Sequence, residues 1–125
     1  MKIDKLTPIL VVDAIEPALA FWTGALGYEK VVEVPHEGRL GFVLLQKDGH
    51  EVMLQTKASI AADLPAMAGT PCALYADVKS IQAAQKAVGE HATVIAGPRE
   101  TFYGAREVWV RDPAGNVIGF AESKK

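Results

Sequence analysis

A chain that repeats itself at a fixed interval must build one unit twice, and this sequence echoes itself at an interval of 64 residues. Asp13 and Asp77 stand 64 positions apart, as do Asp48 and Asp112. The first pair closes two apolar runs, one opened by Thr7-Pro8 and the other by Thr70-Pro71, and each run leads into a helical segment. The second pair begins a turn between strand-like runs. The offset is close to half of the 125 residues, so the whole chain reads as two copies of one unit.

Within the first copy, Leu6–Val12 is rich in branched aliphatics and short enough to be a strand. Asp13 is placed to cap the following helix, whose apolar face is Ile15, Leu19, Phe21, Trp22 and Leu26. Gly24 and Gly27 loosen and end it. Strands are expected at Tyr28–Val34, stopped by Pro35, then at Leu40–Gln46 and Glu51–Gln55 around the Asp48-Gly49 turn. The second copy repeats the order with Cys72–Ala76, a helix at Ile81–Val88, a short strand Thr93–Ala96, and a hairpin of Ala105–Arg111 and Val117–Glu122. The expected class is α+β: one domain over 1–125, with a β-α-β-β-β module at about 4–56, a linker at 57–69 holding a short helix near Ile60–Met67, and a second module at about 70–123. Each sheet needs a covering layer, which the helix supplies on one face, leaving the other to curve around a cavity.

Half of the residues are hydrophobic and 22% are charged, the balance of an ordinary globular domain. The 13 basic and 15 acidic side chains form no stripe that could track phosphates, so nucleic acid is not an expected partner. No apolar run approaches the ~20 residues of a membrane span. Cys72 is the only cysteine and is read as a buried structural residue. With no pairing partner for it and no recognisable leader, a cytoplasmic location is expected.

Three stretches are more specific: Thr7-Pro8-Ile9-Leu10-Val11-Val12-Asp13, the Ala20-Phe21-Trp22-Thr23 and Leu26-Gly27-Tyr28 steps, and Tyr103-Gly104, Arg106-Glu107 and Arg111-Asp112-Pro113-Ala114-Gly115-Asn116. Together they resemble the bleomycin-resistance proteins and the wider vicinal oxygen chelate superfamily of glyoxalase I and extradiol dioxygenases. The resemblance implies paired modules forming a cupped mixed sheet, assembled as a homodimer with ligand sites in the cups or at the subunit boundary. It does not fix the chemistry, because this superfamily hosts metal enzymes beside metal-free binding proteins.

Metal-dependent members place ligands in the first and last strand of each module, positions that the resemblance puts near Leu6, Pro71, Gln55 and Gly119. Only Gln55 carries a donor, and a divalent cation needs several. His36 falls in a turn, His50 at a hairpin tip and His91 after the second helix near Gly89, and all three read as solvated loop residues. No nucleophile elbow, zinc-protease helix or phosphate loop is present. Glu51, Glu107 and His36 remain the residues able to move a proton, with acidities set by surroundings that sequence does not show. No cofactor is expected, a divalent metal being the alternative.

Strand alternation gives the cup its lining. Glu51, Met53 and Gln55 share one face, and Val117, Gly119 and Ala121 form a face of small residues, leaving space where a catalytic carboxylate would otherwise project. Trp109 is the expected neighbour of Gly119 across the second hairpin. By the resemblance, Tyr103 takes the place of a groove-lining aromatic and Phe42 is a second wall; for Phe42 and Trp109, core packing explains the residue equally well. Phe21 and Trp22 read as core, Arg106 and Glu107 as a surface or structural pair, and Asp112 as the organiser of its own turn. The expected ligand-binding set is therefore Phe42, Met53, Gln55, Tyr103, Trp109 and Gly119, around a small amphipathic or aromatic molecule, an antibiotic among the candidates. Arg99, Arg106 and Arg111 near this groove argue against a large cation such as bleomycin. Two other readings stay open: a metal-dependent lyase, isomerase or dioxygenase of the glyoxalase type, and a non-catalytic dimeric interaction module.

Overall fold

A computed structural model describes Lys2, residues 4–69 and residues 71–123. The chain forms two four-stranded mixed sheets of identical order. In the first, β1 (Ile9–Val12), β4 (His50–Thr56), β3 (Arg39–Lys47) and β2 (Glu29–His36) lie side by side. In the second, β5 (Ala73–Asp77), β8 (Val117–Ser123), β7 (Ala105–Arg111) and β6 (Thr93–Glu100) repeat that arrangement. The first and last strands of each module pair in parallel, Ile9 beside Met53 and Tyr75 beside Gly119, and the others run antiparallel. The duplicated β-α-β-β-β plan is thus realised in space, although Thr70, half of one Thr-Pro echo, lies outside the described residues.

Alternation decides which way each strand faces. Leu10 and Val12, Val43 and Leu45, and Val52 and Leu54 turn inward against Phe21 and Trp22. Val108, Val110, Ile118 and Phe120 do the same against Ile81 and Val88 of α3 (Ile81–Val88). These residues form one cluster, so the helical layers of both modules merge into a single core. A buried bond spans the two halves: Trp22 Nε1 donates to Asp112 Oδ2 at 2.9 Å. The other Asp112 oxygen accepts from the amides of Ala114 and Asn116 at 2.9 and 2.8 Å, organising the turn as the sequence suggests. Gly49 and Asp48 take positive φ, the geometry of a tight two-residue hairpin between β3 and β4.

Several boundaries differ from the sequence reading. The first strand begins at Ile9 rather than Leu6. Asp13 does not cap the first helix: Ile15 stands at that position with no side-chain bond, and exposed Asp13 pairs with Lys57 Nζ at 3.2 Å. The helix is a short α1 (Glu16–Leu19) that widens into a π-helical stretch, Ala20–Ala25. Pro35 does not stop β2, which runs to His36 with a register shift after Val34; as an edge strand it tolerates the missing N–H. β6 similarly extends to Glu100 through the cis Gly97-Pro98 bond. The linker helix comes earlier than expected, as α2 (Lys57–Asp63), because the Thr56 hydroxyl accepts from Ser59 N at 3.1 Å and caps it. Cys72, read as buried, is exposed, since it precedes β5 instead of lying within it.

Candidate ligand-binding site

The inward alternation leaves each sheet with an outer face, and that of the second sheet is organised around a carboxylate. Glu107, in the middle of β7, is 0% exposed. Its Oε1 accepts from Arg99 Nε at 2.9 Å, Arg99 Nη2 at 2.6 Å and Trp109 Nε1 at 3.0 Å. Its Oε2 accepts from the hydroxyls of Tyr75 at 2.7 Å and Tyr103 at 3.1 Å. A buried charge is tolerated only when paired and bonded, and five donors meet that requirement. The indole N–H of Trp109, followed by the Tyr75 hydroxyl and then the Arg99 and Tyr103 donors, outweighs burial and lowers the Glu107 pKa to about 2. The same contacts push the Tyr75 hydroxyl well above its ordinary value, its bond to Tyr103 first and that to Glu107 second. Both shifts favour an ionised Glu107 and a neutral Tyr75, and the five bonds hold Arg99 and the aromatic side chains around the carboxylate.

Strands β5, β6 and β7 and the β6–β7 loop supply this constellation, and the small residues of β8 make it possible. Tyr75, Gly119 and Trp109 are in register across β5, β8 and β7. With no side chain on Gly119, the indole lies on the backbone there and the Tyr75 ring reaches over it, ring centroids 5.6 Å apart. The sequence places Trp109 beside Gly119 correctly, but the space expected over the glycine is filled by the indole. Tyr75 is 47% exposed, Tyr103 58% and its edge-on neighbour Phe102 100%. The face is consequently a polar-anchored aromatic surface.

Phe42, Met53 and Gln55 lie on the outer face of the first sheet, Phe42 opposite Gln55 and Met53 opposite Leu44. Gln55 Nε2 donates to Ser59 Oγ at 3.1 Å. The expected ligand-binding residues thus divide between two sheets, with Tyr103, Trp109 and Gly119 brought together on the second. Glu107 is not a surface pair with Arg106; the in-register partner of its buried carboxylate is Arg99. Sequence reasoning missed Tyr75 and the central place of Glu107. The signal available for Glu107 was its two-residue spacing from Trp109, which puts both on one face.

The residues at the expected metal positions do not fit a metal site. Leu6 is an 87% exposed aliphatic, Gly119 lies under an indole, Pro71 has no donor and Gln55 bonds to Ser59. His36 lies 3.8 Å from Glu37, and His50 Nε2 meets the Tyr28 hydroxyl at 2.6 Å. Among the described residues no three His, Cys, Asp or Glu side chains are grouped to hold an ion. Glu51 pairs with Lys5 and accepts from Gln46 at 2.7 Å, which lowers its pKa. Lys5, Gln46 and Glu51 help line a polar hollow of about 400 Å³ at the β3–β4 hairpin end. A more apolar crevice of about 500 Å³ opens between the modules, walled by Trp22, Leu26, Leu74, Ile118 and Phe120, with the Tyr28–His50 pair among its lining residues. Among the described residues no helix is long and apolar enough to cross a membrane.

Solved structures share this architecture. A glyoxalase/bleomycin resistance protein/dioxygenase from Nocardioides superposes with a TM-score of 0.75 at 17% identity, covering 100% of this chain and 87% of that one. TnmS3, an antibiotic binding protein from Streptomyces sp. CB03234, gives 0.67 at 21% identity, covering 99% and 100%. The bleomycin-binding protein of Streptomyces verticillus, complexed with copper(II)-bleomycin, gives 0.66 at 20% identity, covering 100% and 99%. At these identities the likeness is one of fold. No curated protein matches the chain in sequence. The sequence model of one family matches residues 2–120, and the chain accordingly belongs to the glyoxalase/bleomycin resistance protein/dioxygenase superfamily.

Proposed function

We propose that this protein is a metal-free, cytoplasmic, homodimeric binding protein that captures a small amphipathic or aromatic molecule, antibiotics included, on the outer face of its second sheet. One observation carries the reading: Tyr75, Tyr103 and Trp109 present ring surface to the outside while a single buried carboxylate fixes their polar ends. Such a surface is preorganised, so binding costs little side-chain entropy and its gain comes from apolar burial and stacking. Catalysis is not favoured here, because Glu107 is locked as an anion by five donors and is screened from any ligand by the rings it anchors. In a homodimer, Phe42, Met53 and Gln55 of one protomer can cover the aromatic face of the partner, which would reunite the two halves of the lining. The antibiotic-binding activities named for two structural neighbours support the ligand class. Bleomycin itself is disfavoured. Arg99 and Arg111 balance Glu107 and Asp77 on this face, which leaves no acidic field for a large cation.

The test is thermal unfolding of the purified protein with bleomycin-class and planar aromatic compounds and, in parallel, with Zn, Ni, Mn and Fe salts, since a ligand of the folded state raises the midpoint by mass action. The expected result is a rise with an organic compound, abolished by Trp109→Ala and Tyr103→Ala, and no rise with the metals. One tightly held divalent ion per subunit, or compound binding indifferent to both substitutions, overturns the proposal. Light scattering that returns a monomer removes the dimeric part of it.

A further inference from the structure

The aromatic face combines two properties that point to a particular kind of ring. Three of the donors to Glu107 are themselves parts of π-systems: the Tyr75 and Tyr103 hydroxyls and the Trp109 indole N–H, at 2.7, 3.1 and 3.0 Å. A phenol or indole that donates to a carboxylate takes on part of its negative charge and spreads it into the ring. The negative face of each quadrupole is deepened as a result. Electron-rich rings would ordinarily draw cations as well. Here the Arg99 guanidinium forms a two-nitrogen pair with the same carboxylate, so the local charge is balanced and the enrichment is felt mainly by stacked neutral rings. The Arg99 side chain is 59% exposed, and a guanidinium has five N–H donors. Its outer edge can therefore donate to the carbonyl or nitro oxygens that make a ring electron-poor.

We infer that this face selects electron-poor planar rings, of quinonoid, imide or nitroaromatic character, over electron-rich rings of equal area. The inference rests on the ligand-binding reading above and names its ligand class. Gly119 contributes by letting Tyr75 and Trp109 share one surface, their planes tilted by 39°.

The experiment titrates the full-length protein with a naphthalene diimide carrying hydroxyethyl arms and with a pyrene carrying the same arms. Binding is read by calorimetry and by the visible charge-transfer absorption of a stacked donor and acceptor. The diimide is expected to bind about tenfold more tightly than the pyrene, the size of an aromatic-pair preference summed over two rings, and to develop the band. In the Tyr75→Phe/Tyr103→Phe double variant the rings remain but the phenolic donation is gone, so the ratio of diimide to pyrene affinity and the band intensity both fall. Tyr103→Phe alone, at a 58% exposed position, serves the same purpose if the double variant does not fold. Equal affinity for the two probes, or a diimide preference that survives these substitutions, overturns the inference and leaves the binding reading standing. Binding of neither probe also overturns it, and the compound panel above then decides the binding reading by itself.

Discussion

Gly119→Ala adds a single methyl group at the centre of the proposed site, and the structure says where that methyl must go. The new Cβ would stand 2.8 Å from three atoms of the Trp109 indole, Cδ2, Cε2 and Cε3, against an ordinary contact of 3.4 Å or more. The β8 backbone beneath it is held on both sides by β5 and β7, so the indole has to yield. Overpacking a filled site costs about 1–3 kcal/mol. Trp109 is only partly buried and can swing outward, so the low end applies, and a loss of ~1 kcal/mol lowers the melting temperature of a domain this size by roughly 3–5 °C. The functional loss should be larger. An outward swing breaks the 3.0 Å bond from Nε1 to Glu107 and parts the indole from Tyr75, so affinity for an aromatic ligand falls by about tenfold or more. Differential scanning calorimetry gives the first quantity and isothermal titration the second. A variant that melts within ~1 °C of the parent and binds equally well would refute the placement of the indole over residue 119 and its part in binding.

Other outcomes follow from single contacts. Trp22→Phe removes the only described hydrogen-bonding group of a 1% exposed side chain, its N–H bond to Asp112, and leaves a small void; together these should destabilise the fold by ~3 kcal/mol, measured by urea unfolding. Glu107 has a folded pKa of about 2, below its ordinary 4.5, so its stabilising contribution is fully present above about pH 4.5 and is lost as pH falls toward 2. Glu107→Gln should therefore flatten the acid limb of the stability curve in that window, leaving the part due to Glu16 and Glu51, whose pKa values are also lowered; an unchanged limb would contradict the network. Cys72, being exposed, should react with a chromogenic disulfide in the folded protein at one thiol per chain, and protection until denaturation would show that it is covered.

Much of the architecture is legible in the sequence because periodicity and turn chemistry act locally. Ile81–Val88 and Ala105–Arg111 match their predicted bounds, and the Asp48-Gly49 hairpin forms where its residues demand. The misplaced boundaries have tertiary causes. Pro35 and Pro98 are compatible with strands only because β2 and β6 are sheet edges, and edge position is a property of the assembled sheet. The site divides in the same way. Trp109 and Gly119 belong to one hairpin and could be paired by register, whereas Tyr75 falls in the short apolar run Cys72–Ala76, which carries no sign of its partners. Its role depends on β5 lying against β8, 44 residues away at Gly119. Arg99 is placed near the groove by the sequence, but only the β6–β7 pairing sets it opposite Glu107.

The bond from Trp22 to Asp112 joins residues 90 positions apart and ties the first helix to the turn that closes the β7–β8 hairpin. Opening the strands that hold Trp109 and Gly119 must then disturb packing in the other repeat as well, which makes the two halves one cooperative unfolding unit despite their separate sheets. Amide hydrogen exchange in β3 and β4 should slow in step with that in β7 and β8 when a ligand occupies the aromatic face. Occupancy can therefore be reported by protons on strands of the other repeat.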